Sequence, residues 1–358
     1  MKEKYLFVRN AWYVAAWAHE LARTPLARTI MNEEIVFFRK QDGAPAAIED
    51  RCCHRHLPLS MGKVEGDCIR CGYHGMKFDA SGACVEVPGQ KDIPPNARVQ
   101  SYRVVERWKW IWVWMGDPER ADDTKIPDLW WADHPGWKLS MPDMAPLACD
   151  YRLIADNVLD ATHLTYVHAT SIGGGGLTEV QPIVETDDNK VRVSRWVLDR
   201  PPPMYKKAGH FDGNADRWAF VEFRAPATSI NFAGCVDVGC GGPDGDMSKS
   251  NRRVELVAIS LPTPVSETSC NYFYGFSRAF AHDDPEVERM FGEVMVDVFR
   301  EDFVILEAQQ ARKSQRPGAP QISTINDRAS FFARKLVERM LEAERASGQV
   351  GATRLNCV

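Results

Sequence analysis

Two short segments concentrate residues able to hold a metal. Cys52 and His54 lie in the stretch 51–62, and Cys71 and His74 lie in 71–75. Two thiolates and two imidazoles suit either zinc or an iron–sulfur cluster. The pairs alternate, Cys-His and then Cys-His, so each loop can give a sulfur to one iron and a nitrogen to the other. A zinc ribbon more often uses C-x-x-C knuckles that wrap both sulfurs around one ion, and C-x-H fits that turn poorly. The spacing therefore favours a mixed-ligand [2Fe-2S] cluster over structural zinc. Cys53 and Cys68 lie near these loops, but their spacing makes no second ligand set. They and the other cysteines read as small buried thiols.

A second concentration runs through 153–168 and includes Asp156, Asn157, Asp160, His163 and His168. An amphipathic helix rarely places so many polar groups on or near its apolar face. On a regular helix, positions five apart point about 140° away from each other, which is poor for one metal. His163 and His168 thus predict a distorted or terminated helix near 165, such as a π-type turn. Asp160, three residues before His163, can hydrogen-bond that ring's second nitrogen and orient it. Two histidines need one carboxylate to complete a facial triad with open positions. Glu301, Asp302 and Glu307 in a C-terminal helix are the candidates, and spacing does not choose among them. Taken alone, the segment fits two satisfied core histidines equally well; an upstream redox cluster shifts the balance to iron.

These groups need elements to hold them. Ile35–Phe38, Ala46–Glu49, Met76–Asp79, Cys84–Val87, Val104–Arg107 and Trp110–Trp114 read as strands, rich in aromatic and β-branched residues. The 10–21 stretch fits strand or helix. Residues up to about Gly116 form a small all-β domain. The segment 117–145 connects, and its tryptophans call for a surface to cover. A strand at 148–153 leads into a helix over 153–167. Five strands follow at Val191–Leu198, Trp218–Arg224, Ile230–Val238, Val254–Leu261 and Asn271–Ser277, with loops at Ser171–Val180 and Gly239–Gly245. Helices over Pro285–Arg312 and Ala329–Ala346 close the chain. Phe332, Leu336, Val337, Met340 and Leu341 give the last one a docking face. The fold class is α+β in two domains, 1–135 and 136–358.

The composition sets outer limits. The 358 residues exceed what one small cluster domain needs, and 44% hydrophobic with 26% charged residues is ordinary for a globular protein. A net charge of −5 gives no case for nucleic acid or an anionic membrane. There is no apolar run long enough to span a bilayer and no signal-peptide core at the N-terminus, which points to the cytoplasm. The ten cysteines are then thiols or ligands rather than disulfides.

The pattern C-x-H-R, P-L-S-x-G and C-x-Y-H-G, carried by Cys52, His54, Pro58–Gly62 and Cys71–Gly75, resembles the Rieske domain of non-haem iron oxygenases. The spacing Asn157, Asp160, His163, His168 resembles the N-x-x-D-x-x-H-x-x-x-x-H of their catalytic subunits. The late Glu301–Asp302 pair also matches and implies Asp302 as third iron ligand. The similarity covers nearly the whole chain. It is greatest to the branch of vanillate O-demethylase, toluenesulfonate methyl-monooxygenase and dicamba monooxygenase, through 51–55, 84–90, 111–118 and 160–168. One departure is Gly75-Met76, where many relatives have Gly-Trp; it touches no ligand.

The resemblance implies an N-terminal all-β Rieske [2Fe-2S] domain and a helix-grip-like catalytic domain, an antiparallel sheet with a long C-terminal helix. It implies mononuclear Fe(II), O₂ as co-substrate, and hydroxylation of a methoxy or methyl group of an aromatic acid. A hydroxylated methoxy group collapses to release formaldehyde, so O-demethylation is favoured. Aryl-methyl hydroxylation and ring dihydroxylation use the same machinery. No dinucleotide fingerprint is present, since Gly173–Gly176 opens no βαβ unit, so electrons must come from a separate NAD(P)H-dependent reductase or ferredoxin. Relatives assemble as homotrimers in which Asp160 would bridge His163 to His74 of the next chain. Asp160 and Asn157 are the implied catalytic pair. Asn231 is the first substrate contact, with Ser260 and Tyr274 beside it, and His210 and Arg217 weaker. Relatives use an Asn at position 231 to hold an aromatic acid. At Ser260 dicamba monooxygenase carries a His, which puts dicamba itself in doubt as a substrate. A pure electron carrier would hold about two irons and a zinc-stabilised binding module none, against about three for the oxygenase.

Overall fold

The computed structural model describes residues 6–140, 144–173, 176, 178–201, 205–241, 243 and 245–347. Contacts divide the chain into two compact units. The first comprises 1–128 with the hairpin tip 263–267 and the C-terminal stretch from 340. The second comprises 129–262 and 268–339.

The first unit is built from three small antiparallel sheets. β1 (Trp12–Trp17), β11 (Trp110–Trp114) and β10 (Val104–Arg107) form one, and β1 resolves the ambiguous 10–21 stretch as a strand. Trp12 faces Trp114 and Trp17 faces Trp110 across the ladder, with ring centroids 5.5 and 4.9 Å apart. Every residue of both strands is buried. Burying side chains of this size contributes about 1.5–3 kcal/mol each, and the cross-strand aromatic pairs add to it. β2 (Leu26–Ile30), β3 (Glu33–Arg39), β4 (Pro45–Glu49) and β9 (Ser101–Tyr102) form the second sheet. β5 (Lys63–Glu65), β6 (Cys68–Arg70), β7 (Lys77–Asp79) and β8 (Cys84–Glu86) form the third; the 51–62 loop joins β4 to β5, and the 71–75 loop joins β6 to β7.

The second unit centres on an eight-stranded antiparallel sheet. Its order is β12 (Lys138–Ser140), β19 (Ser269–Arg278), β18 (Arg253–Ser266), β17 (Thr228–Asp237), β16 (Ala215–Arg224), β15 (Lys190–Arg200) and β14 (Ile183–Thr186), and β13 (Ala145–Leu147) also pairs with β19. The helices are α1 (Tyr151–Leu159), the single turn α2 (Tyr205–Ala208), α3 (Pro285–Gln315) and α4 (Arg328–Ala346). The five central strands lie where expected and run longer. The docking face of α4 is realised in buried Leu336, Val337 and Leu341.

Two expectations are corrected. The strand placed at 148–153 is absent, because the Asp150 carboxylate accepts from Arg152 N–H and caps a helix that starts at Tyr151. The helix placed over 153–167 ends at Leu159. Asp160 leaves helical geometry at φ −104° and ψ 90°, and the chain restarts as a 3₁₀ turn over Ala161–Thr165. The break falls before His163, and its type is 3₁₀ rather than π. The loop expectations at Ser171–Val180 and Gly239–Gly245 fall partly outside the described residues, as does Cys357.

Candidate metal centres

The two cluster loops repeat one backbone design. Cys52 N–H donates to Leu57 O at 2.9 Å and Cys52 O accepts from His56 N–H at 2.9 Å. Cys71 N–H donates to Met76 O at 2.8 Å and Cys71 O accepts from Gly75 N–H at 3.2 Å. The residue four beyond each cysteine is left-handed, His56 at φ 60° and Gly75 at φ 76°. The loops are held together by close backbone approach, since a Cβ on Gly62 would sit 2.0 Å from Arg70 O. Arg70 extends this brace by donating to Gly75 O, Glu65 and Glu86.

Burial sorts the donors by type. Cys52 and Cys71 are buried, and His54 and His74 are exposed with ring centroids 4.7 Å apart. Burial pushes the Cys52 thiol up to about 11, and the Cys71 sulfur beside it adds to the rise. Two facing thiols inside and two facing imidazoles outside fit a cluster with one sulfur-held and one nitrogen-held iron.

In the second unit, the structure brings His163, His168 and Asp302 together, with one donor atom of each lying within 4.8 Å of the others. His168 is fully buried, and its Nε2 lies 3.2 Å from Asp302 Oδ1 without forming a hydrogen bond. His163 Nε2 lies 3.6 Å from the same oxygen. Three donors converging on a point with a buried nitrogen left unsatisfied fit a divalent iron with open positions.

Each donor is oriented from behind. His168 Nδ1 meets Glu301 Oε2 at 2.6 Å, and Asn157 Nδ2 donates to Asp302 Oδ1 at 3.1 Å. Burial opposes charge on His168, but Asp302 and Glu301 outweigh it and raise its pKa. Glu307, the other carboxylate considered, accepts from Ala148 N–H. The Asp160 reading needs correction. The backbone carbonyl of Asp160, not its carboxylate, meets His163 Nδ1. The carboxylate instead accepts from Thr162 N–H and Oγ1, capping the 3₁₀ turn, with Arg195 at 3.9 Å. The helix break explains this, because it turns the Asp160 carbonyl toward the ring and leaves the carboxylate to cap the next turn.

Among the expected substrate contacts, Asn231 lies in β17 and its Oδ1 is buried without a partner. Ser260 is buried, and its hydroxyl is 2.6 Å from Tyr272 OH. Tyr274 packs on Phe299 and Phe303 of α3, the helix that carries Asp302. His210 is exposed at a left-handed turn. Arg217 is buried with its Nη1 unpaired. Sequence reasoning missed Glu301 as the holder of His168 and Arg195 beside Asp160. The adjacency of Glu301 to Asp302 was the available signal for the first, and nothing in a strand pattern marks the second.

Residues 11–103 match the Rieske [2Fe-2S] domain, and residues 147–343 match the vanillate O-demethylase oxygenase C-terminal domain. The chain is 39% identical to the iron–sulfur subunit of a toluene-4-sulfonate monooxygenase system from Comamonas testosteroni, across 95% of this chain and 98% of that one. It is 36% identical to the vanillate O-demethylase oxygenase subunit of a Pseudomonas species, across 95% and 96%. The crystal structure of dicamba monooxygenase bound to 3,6-dichlorosalicylic acid superimposes with a TM-score of 0.87 at 31% identity, covering 95% of this chain and 99% of that one. A Rieske cluster domain joined to such a catalytic domain makes this an oxygenase component that uses a [2Fe-2S] cluster, mononuclear non-haem iron and O₂. Within that class, the chain belongs to the vanillate O-demethylase oxygenase family. Its electrons come from a separate component.

Proposed function

We propose that this protein is the terminal oxygenase of a system that hydroxylates a methoxy or methyl substituent of an aromatic acid, with O-demethylation and formaldehyde release as the leading reaction. The observation that carries the reading is the convergence of His163, His168 and Asp302 in a chain of this family. These three hold the iron, and Cys52, His54, Cys71 and His74 hold the cluster. When bound, the cluster supplies electrons and the iron activates dioxygen for insertion into a C–H bond.

The chain's own residues prepare that site. Glu301 and the Asp160 carbonyl fix the two ring orientations, so that both Nε2 atoms face the metal position. Asn157 turns Asp302 toward the same point. Tyr272 and Tyr274 pack on Phe299 and Phe303 of the helix that carries Asp302, and Asn231 offers a polar contact to substrate. The Asp160 side chain retains 26% exposure, which suits a bridge to His74 of the partner subunit in a homotrimer. The enzyme works in the cytoplasm with an NAD(P)H-dependent reductase or ferredoxin; among the described residues no helix is long and apolar enough to cross a membrane.

The test is a screen of methoxylated and methylated aromatic acids with a reconstituted reductase, scoring formaldehyde. Formaldehyde from none of them removes the leading reaction. Methyl hydroxylation is the second reading, favoured by the 39% identity to a toluene-4-sulfonate system; it predicts a benzylic alcohol instead.

A further inference from the structure

The register of the central sheet sorts its side chains into rows on one face. Directly opposed residues share a face, and so do residues two apart along a strand. One row is Val197, Arg217, Cys235 and Val254. The next on that face is Arg195, Ala219, Ala233 and Leu256, followed by Val193, Val221, Asn231 and Ala258, and then by Val191, Phe223, Ser229 and Ser260. This face carries the metal-site side of the sheet. Arg195 approaches Asp160, and Ser260 bonds Tyr272, which packs on Phe299 and Phe303 of α3.

Arg217 is anomalous on this face. It is 6% exposed, and its Nη1 is buried with no hydrogen-bond partner. Among the described residues no carboxylate pairs with it. Asp216, next to it in sequence, points to the other face and accepts from the amides of Asp199, Gly239 and Gly241. Asp237, one row further on the same face, is taken by Arg252, Ser250 and the amide of Asn251. Tyr205 and Cys235 are the titratable neighbours, and neither is an anion at neutral pH. A buried guanidinium without a counter-charge is costly, and it stays protonated in proteins. Arg195, one row away, has the Asp160 carboxylate at 3.9 Å, so Arg217 is the guanidinium on this face that an anion would satisfy. The row between those of Arg217 and Asn231 holds Ala219 and Ala233, two small side chains that are only partly buried. The two polar residues are about 13 Å apart along the strand direction, enough for a substituted benzene ring with an acidic group at one end.

We propose that Arg217 is the anion anchor of the substrate cavity, pairing with the carboxylate or sulfonate of an aromatic acid whose ring lies over Ala219 and Ala233. The proposal rests on the oxygenase reading and adds the residue that selects acids over neutral arenes. It is tested by comparing wild-type protein with Arg217→Gln and Arg217→Lys. Binding is titrated with para-methoxybenzoate, toluene-4-sulfonate and the uncharged para-methoxybenzamide, and each protein's melting temperature is read without ligand. Wild type should bind its preferred acid roughly 30-fold or more tightly than the amide. Arg217→Gln should lose that preference while binding the amide as before, and Arg217→Lys should restore part of it. Unliganded Arg217→Gln should melt no lower than wild type, because the charge removed had no partner.

A Gln variant that keeps the preference, or that melts lower and weakens acid and amide alike, overturns the anchor and makes Arg217 a structural residue. Wild-type protein that binds no aromatic anion, or binds acid and amide equally, also overturns it. Failure of the oxygenase reading looks different: acid binding still depends on Arg217, but no methoxylated or methylated arene is turned over.

Discussion

At the scale of single residues, the catalytic unit is governed by what stands behind its donors. A metal-binding imidazole needs its other nitrogen held, or ring rotation lowers affinity. Glu301 does this for His168 through a side chain, whereas His163 is held by a backbone carbonyl that side-chain mutation cannot remove. Glu301→Ala should therefore weaken iron binding by roughly 10–100-fold, measured by ferrous titration against a competing chelator, with the cluster's visible spectrum unchanged. Glu301→Gln, which keeps an acceptor but loses the charge, should lose less. Unchanged iron affinity in Glu301→Ala would remove Glu301 from the site's support.

At the scale of elements, the cluster loops depend on the four-stranded sheet β5–β8. Gly62 lies where the two loops meet, and any side chain there collides with Arg70 O. Gly62→Ala should part the loops at a cost of roughly 3 kcal/mol, seen as loss of the cluster's absorbance at lower temperature than in wild type. The same sheet should also show an acid limb. Lys63 first, and then Arg70, hold the Glu65 carboxyl down to about 2. A carboxyl depressed in the folded state stabilises above its ordinary value near 4.5, and that contribution is lost as pH falls through about 2. Glu65→Gln should flatten this part of the stability profile, followed by the melting of cluster absorbance between pH about 5 and 2.

At the scale of the whole molecule, the proposed trimer makes a prediction that no single chain can meet. A Cys52→Ser chain lacks the cluster and a His163→Ala chain lacks the catalytic iron, so each alone should be inactive. Co-assembled in equal amounts, they should recover about a quarter of the wild-type rate if each cluster serves a neighbour's iron, because half the chains carry a cluster and half of their neighbours an iron. Transfer within one chain would give no recovery, and turnover assays on the mixed protein decide between the two.

Much of this protein is written in short-range patterns. The alternating Cys-His pairs, the five-residue spacing of His163 and His168, and the period-two aromatic strands such as Trp110–Trp114 depend on neighbours a few residues away, so they survive in the linear chain. Even the helix break was legible, because two histidines on opposite helix faces cannot share a metal unless the helix yields. Its position was not, since it depends on Asp160 capping the next turn. What required the tertiary structure is every relation between distant segments. Glu301 meets His168, Asn157 meets Asp302, and Arg217 is left without a counter-ion on the same face as Asn231. Those relations are set by strand register and by how α3 places its side chains. One residue of slip in a strand would send the same side chains to the opposite face, and one residue of shift in α3 would turn Glu301 and Asp302 by about 100° away from the histidines.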